Sequence, residues 1–222
     1  MRASICLAGV LSLGCVPSFV TQDGDTDGVE WPDESRLDRS AACELEQGYD
    51  CGYPAGPYSP SYGNTFPNIV VQNCDGEAVE LAELFGIRPD TQRLNRGVIF
   101  AFGAGWCGSC KQESEHFAEI VGDYRVPEYD VEFLHFIVEA ELDSPATENI
   151  CSIWYESLAK AAYPVWFTPD PNFMDTLIPA GTPIPYIFIL NANARVNYTQ
   201  QGAISDANLI NQIDALVSNP YG

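Results

Sequence analysis

The 222-residue sequence predicts an α/β fold in which a central mixed β-sheet is flanked by helices and preceded by an N-terminal extension. Three observations carry this. The short apolar runs 98–102, 131–138 and 186–190 read as strands buried on both faces. Segments with apolar residues at helical spacing follow the first two directly and the third after one more strand, and strands alternating with helices imply one sheet covered by helices. Residues 20–50 are polar and acidic, with few aliphatic side chains to bury, and so stand outside the core.

In chain order, residues 1–14 are expected to be a signal peptide and residues 15–60 an acidic tether with an irregular lead-in. Residues 61–222 are expected to form the folded domain. Arg2 precedes the apolar stretch 3–13, too short to span a bilayer but suited to a signal-peptide core. Residues 20–50 read as a tether, and 51–65, rich in Gly, Pro, Tyr and Ser, as an ordered but irregular segment. Residues 66–71 alternate like a strand. Asn73-Cys74-Asp75-Gly76 supplies a turn. The strand 98–102 leads into a helix over 107–124, with Phe117, Ile120, Val121 and Tyr124 at helical spacing. After the strand 131–138, residues 146–162 suggest a helix with Ile150, Ile153, Trp154, Leu158 and Ala161 on one face. The strand 186–190, the turn 191–194 and the strand 195–200 follow. Ser205 or Asp206 is expected to cap a last helix carrying Leu209, Ile213, Leu216 and Val217.

Formal net charge is −21, and Lys111 and Lys160 are the only lysines. Nucleic acid and anionic lipid surfaces are therefore poor partners, since like charges repel and no basic patch exists to release counterions. Eight cysteines favour an oxidising compartment. Leu11-Ser12-Leu13-Gly14-Cys15 resembles a bacterial lipobox, with Ser12 where a large aliphatic residue is usual. This predicts lipidation of Cys15 and membrane attachment through a lipid anchor only. The alternative is a signal peptide cut nearby without lipid.

The strongest local signal is the run from Phe100 to Lys111, which contains Trp106-Cys107-Gly108-Ser109-Cys110. A buried strand ends, a glycine-containing turn follows, and two cysteines open a helix. The thiolate is the reactive form, and a free cysteine with a pKa of ~8.5 is mostly protonated at neutral pH. At a helix N-terminus, unpaired N–H groups and the helix dipole favour the anion, and Lys111 adds a cation. A spacing of three lets the two sulfurs meet on the first turn. Cys107 is thus expected to attack and Cys110 to resolve the mixed disulfide. A zinc half-site would need a second CxxC or a histidine pair. His116 and His135, the only histidines, lie in no such pattern.

The region from about Phe66 onward resembles the thioredoxin-like superfamily, specifically the TlpA/ResA-type envelope branch. That branch pairs an apolar strand with an aromatic residue, a small residue and a Trp-Cys-x-x-Cys run, matched here by 102–110. Glu113 stands where the branch often carries a glutamate, three residues after the second cysteine. Glu115 replaces its usual proline two residues later, and Ala101 replaces the buried acid that thioredoxin itself carries. Downstream, Thr182-Pro183-Ile184-Pro185-Tyr186 resembles the family's proline-led strand. The resemblance implies a thioredoxin fold with a cis peptide bond before Pro185 facing the disulfide, and the backbone of Ile184 available to pair with an extended substrate. Trp106, Ile184, Pro185, Glu113 and Lys111 are the expected substrate-binding and supporting residues. The resemblance implies a thiol–disulfide oxidoreductase of the cell envelope, needing no cofactor or metal. Its partners would be exported protein thiols and disulfides and an upstream dithiol electron donor.

Weaker patterns compete for other roles. Residues 23–34 match the calcium-loop pattern D-x-D-x-D-G-x5-E, but Glu30 and Pro32 spoil its context and a solvated acidic linker is the expected reading. Cys43, Cys51, Cys74 and Cys151 are read as two structural disulfides. Four cysteines allow three pairings, and the sequence-near pair Cys43–Cys51 leaves Cys74–Cys151. His116 is read as a surface or packing residue, and His135 as a satisfied core histidine. A copper chaperone usually carries CxxxC and a distant histidine. A peroxiredoxin needs Pro-x-x-x-Thr-x-x-Cys, absent from 101–107. A surface lipoprotein with a structural CxxC is the remaining alternative.

Overall fold

The computed structural model describes residues 53–54, 56–85, 95–124, 130–170, 172–179 and 181–220. Cys15, Cys43, Cys51 and the acidic 23–34 segment lie outside the described residues, as do the expectations that rest on them.

Among the described residues, seven strands form one mixed sheet: β1 (Val70–Asn73), β2 (Ala78–Glu80), β3 (Gly97–Ala104), β4 (Val131–Glu139), β5 (Val165–Phe167), β6 (Tyr186–Asn191) and β7 (Val196–Gln201). Their order across the sheet is β2-β1-β5-β4-β3-β6-β7. The three central strands β5, β4 and β3 are parallel, and β1, β2, β6 and β7 are joined antiparallel. The helices α1 (Gly108–Tyr124) and α2 (Glu148–Ser157) make the two crossovers that parallel strands require, and α3 (Asp206–Ser218) ends the fold.

Strand β3 lies at the centre because every one of its eight residues is buried. Its side chains alternate between two cores. Ile99 and Ala101 join Phe117 and Val121 of α1, Trp154 of α2 and Leu209, Ile213 and Leu216 of α3. Val98, Phe100 and Phe102 join the opposite core. Among the described residues no α-helix contributes there. The face is closed by Tyr53, Phe66 and Ile69 of the irregular lead-in and by residues of two short 3-10 helices, Leu81–Leu84 and Phe173–Thr176. Aromatic rings do the filling. Phe66 meets Phe188 edge-on at 4.9 Å, and Phe100 stacks on Phe188 at 5.3 Å. Such pairs contribute about 0.5–1.5 kcal/mol each beyond area burial.

Phe66 to Ile69 are buried but irregular, and the strand expected over 66–71 begins only at Val70. Tyr53 shows why this part of the chain holds position without a ladder. Its hydroxyl donates to the Phe66 carbonyl at 2.9 Å, and its ring meets Phe85 edge-on. Strand β5 was not expected from the pattern: three residues are too few to show a period, and a parallel partner in β4 makes it a strand. Ser205 caps α3 by accepting from the Asn208 amide, and Thr147 caps α2 through the Ile150 amide. Cys74, in the turn after β1, is joined to Cys151 of α2 by a disulfide.

Candidate active site

The carboxyl end of β3 builds the site. Gly105 donates its amide to the Glu139 carbonyl at 2.8 Å, so the chain turns tightly against the end of β4. A Cβ at Gly105 would lie 2.2 Å from the Ala140 carbonyl oxygen, so only glycine permits this approach. The turn then delivers Cys107 to the start of α1.

Cys107 and Cys110 form a disulfide with their Cα atoms 5.3 Å apart. The Cys110 amide donates to Cys107 Sγ at 3.1 Å. Cys107 thus occupies the place of a helix cap, with its sulfur receiving one of the N–H groups that a helix start leaves unpaired. Ser109 Oγ lies 3.4 Å from the same sulfur. Both groups favour charge on Cys107 once the disulfide opens. Cys107 retains 4% exposure and Cys110 none.

From the other side, Cys107 Sγ lies 3.9 Å from the Ile184 carbonyl oxygen. The Ile184–Pro185 peptide bond is cis. Pro185 is buried and Ile184 half-buried, just before β6. Two segments seventy-seven residues apart in sequence therefore meet at one sulfur. Trp106 is 47% exposed, and its indole N–H donates to Glu139 Oε2 at 2.6 Å, which anchors an apolar surface beside the disulfide. Glu139 was not singled out in the sequence; as the last residue of an apolar strand it carries no pattern. Lys111 is half-buried one residue past Cys110.

Glu113 sits on α1, buried, with the Ile204 amide donating to Oε1 at 3.5 Å. Burial, aided by Asp206 and opposed by the Ile204 amide, raises its pKa from 4.5 to about 7. The carboxyl therefore titrates near neutrality in the folded protein but well below it in the unfolded chain. Its contribution to stability is fully present below about 4.5 and falls as pH rises through about 7. Oxidised protein is expected to lose up to about 3 kcal/mol from this group over that window. Urea unfolding as a function of pH checks it: Glu113→Gln should flatten the slope, and an unchanged slope contradicts the assignment.

His116 lies as expected on the outer side of α1, with Nε2 3.0 Å from Asp206 Oδ1. His135 does not match its reading as a satisfied core histidine. It is fully buried in β4, yet neither ring nitrogen has a hydrogen-bond partner among the described residues. Among the described residues, no group of three His, Cys, Asp or Glu side chains is placed to hold a metal ion.

No protein-family model matches the chain. Among curated proteins it is similar to the thiol-disulfide oxidoreductase ResA of Bacillus subtilis (strain 168). The two are 23% identical over 153 residues, covering 69% of this chain and 74% of that protein. Solved structures share its architecture. A secreted thiol-disulfide isomerase from Corynebacterium glutamicum matches with a TM-score of 0.53 at 19% identity, over 68% of this chain and 84% of that one. A thioredoxin-like protein from Porphyromonas gingivalis matches with a TM-score of 0.53 at 18% identity, over 74% and 97%. DsbF from Mycobacterium tuberculosis, solved in mixed oxidised and reduced forms, matches with a TM-score of 0.50 at 12% identity, over 67% and 95%. The sheet, the helix-capping cysteine pair and the proline-led β6 are the thioredoxin-like arrangement.

Proposed function

We propose, from the chain's place in the thioredoxin-like superfamily as an oxidoreductase, that it exchanges disulfides with exported proteins at the outer face of a cell membrane. The observation that carries this reading is the Cys107–Cys110 disulfide at the start of α1, with the Cys110 amide on Cys107 Sγ and the Ile184 carbonyl facing it.

In this reading Cys107 is the nucleophile. Its thiolate attacks one sulfur of a client disulfide, the client S–S bond breaks, and a mixed disulfide forms. Cys110 then attacks Cys107 Sγ as a thiolate. The second client sulfur leaves with the electron pair and takes up a proton, and the Cys107–Cys110 bond closes. The client has gained two electrons and the pair has lost two, which an upstream dithiol donor restores. Run backward, the same steps oxidise a client dithiol. Pro185 holds the Ile184 backbone beside the sulfur, where an extended client segment pairs with it as at a sheet edge. Trp106 offers the apolar contact, and Lys111 adds positive charge near the helix start.

An extracytoplasmic setting is supported by the cysteine usage of the chain and by the likeness to a secreted isomerase. Attachment through a lipid on Cys15 is the corresponding proposal for the N-terminus, and mass spectrometry of the mature N-terminus tests it: an unmodified start beyond Cys15 refutes it. The central test is a redox titration of the purified protein against glutathione and dithiothreitol buffers. A potential in the range of exchange proteins, about −120 to −270 mV, is expected. A pair that stays oxidised below about −300 mV would make the CxxC structural and overturn the reading.

A further inference from the structure

Exchange through the CxxC requires Cys110, buried against the sheet, to become a thiolate. An isolated buried thiol has its pKa raised, because an anion is costly in apolar surroundings. Thioredoxin-like proteins with a buried acid on the central strand have a polar group behind the pair, but here that place holds Ala101. Directly across from Ala101, in register on β4, stands His135.

The packing brings the His135 ring to Cys110. Gly103 of β3 separates them. A Cβ built there would lie 2.5 Å from His135 Nε2 and 3.0 Å from Cys110 Cβ. The imidazole nitrogen and the cysteine therefore flank one small space, kept open by the missing side chain of Gly103. The rest of the ring is enclosed by Trp154 of α2, whose ring centre is 5.0 Å away, and by Phe117 of α1 at 6.5 Å. Ala101, Gly103 and Val165 complete the surroundings on the neighbouring strands. None of these groups carries a charge. Of the other ionisable groups on α1, Glu113 accepts from the Ile204 amide and His116 pairs with Asp206, while Lys111 is half-buried and follows Cys110 directly in the chain. Tyr163 is held by Ser114.

A buried imidazole with neither nitrogen bonded has lost its hydrogen bonds to water without replacement, which costs free energy. Burial also lowers its pKa from 6.5 to about 3, so the ring is neutral and carries a single N–H. Such a ring is a poor proton acceptor for a thiol but a competent donor to a sulfur anion.

We propose that His135 is a further catalytic residue: in the reduced protein its Nε2–H donates to Cys110 Sγ and holds that cysteine as a thiolate. This rests on the exchange reading of the CxxC. When an incoming thiolate attacks Cys107 Sγ, the Cys107–Cys110 bond breaks and its electron pair remains on Cys110. The His135 N–H meets that charge with a hydrogen bond and no proton moves between them. In the resolving direction the same anion attacks Cys107 Sγ, and the client thiolate leaves. The oxidised disulfide has no anion to receive, which accounts for an unpartnered ring in the structure.

The test uses the full chain with Cys107→Ser, in which Cys110 is the only site thiol, and follows thiolate absorbance at 240 nm with pH. Adding His135→Phe, which keeps an aromatic ring and removes both nitrogens, should raise the Cys110 pKa by about one to two units. His135→Gln, which keeps an N–H donor, should restore part of it. Equal titration curves for Cys107→Ser and the Cys107→Ser/His135→Phe pair would overturn the proposal. Should the phenylalanine variant fail to fold, nitrogen NMR of His135 in the reduced Cys107/Cys110 protein decides instead. The Nε2–H tautomer is required, and an Nδ1–H ring refutes it. Because neither readout uses a client, failure here is distinct from failure of the exchange reading, which the redox titration alone decides.

Discussion

A Cys110→Ser variant expressed in its native compartment will accumulate mixed disulfides with its clients, whereas Cys107→Ser will accumulate none. The reason lies in how α1 begins. Cys107 accepts the Cys110 amide and retains the residual exposure of the pair, while Cys110 is fully enclosed between the helix and the sheet. A client disulfide meets Cys107 first. Without the Cys110 sulfur the covalent complex has no internal route to release and persists. Both variants should lose disulfide-reductase activity altogether, since a complete cycle needs both sulfurs. Non-reducing gels of the two strains, with and without later addition of dithiothreitol, read the result. Trapping by Cys107→Ser alone would reverse the two roles. Full activity in either variant would remove the CxxC from the chemistry.

Replacing both Cys74 and Cys151 with alanine should cost about 2–4 kcal/mol of stability while leaving the Cys107–Cys110 exchange in place. The bond ties the turn after β1 to α2 across 77 residues of sequence. A cross-link that closes so long a loop removes much of the freedom of the unfolded chain. It also secures the side of the sheet where β1 meets β5 through only two paired residues, Gln72 with Phe167 and Asn73 with Trp166. The loss should appear as a lower urea midpoint in equilibrium unfolding of the oxidised proteins. A midpoint unchanged within error would mean that the bond adds nothing to the fold. Loss of exchange in a variant that still folds would instead place this disulfide in the redox chemistry.

How much of this was legible in the sequence depends on the range of the interaction. Strand β3 and helix α1 could be read directly, because a fully buried strand and an amphipathic helix each repeat their pattern within a few residues. The same holds for β4, β6 and the start of α3, where the sequence offered Ser205 or Asp206 as the cap and Ser205 takes the place. Strand β5 escaped because its three residues become a strand only through pairing with β4. The lead-in around Tyr53 and Phe66 shows apolar residues without a period, so nothing local tells that they close a core.

The site divides along the same line. The sequence by itself determined the cysteine pair, its place at a helix start, and the glycines and tryptophan around it, because helix capping and the CxxC spacing act over one turn of chain. It also held Pro185 and Ile184 as a motif, but only through resemblance. That the Ile184 carbonyl comes within 3.9 Å of Cys107 is a product of β6 pairing with β3. That His135 stands behind Cys110 is a product of parallel register between β3 and β4 and of an absent side chain at Gly103. In the sequence His135 is one polar residue within an apolar run, and such a residue is usually satisfied. Only the tertiary structure decided that it is not, because hydrogen-bond satisfaction depends on which atoms the fold brings within about 3 Å of the ring, and that distance has no signature along the chain.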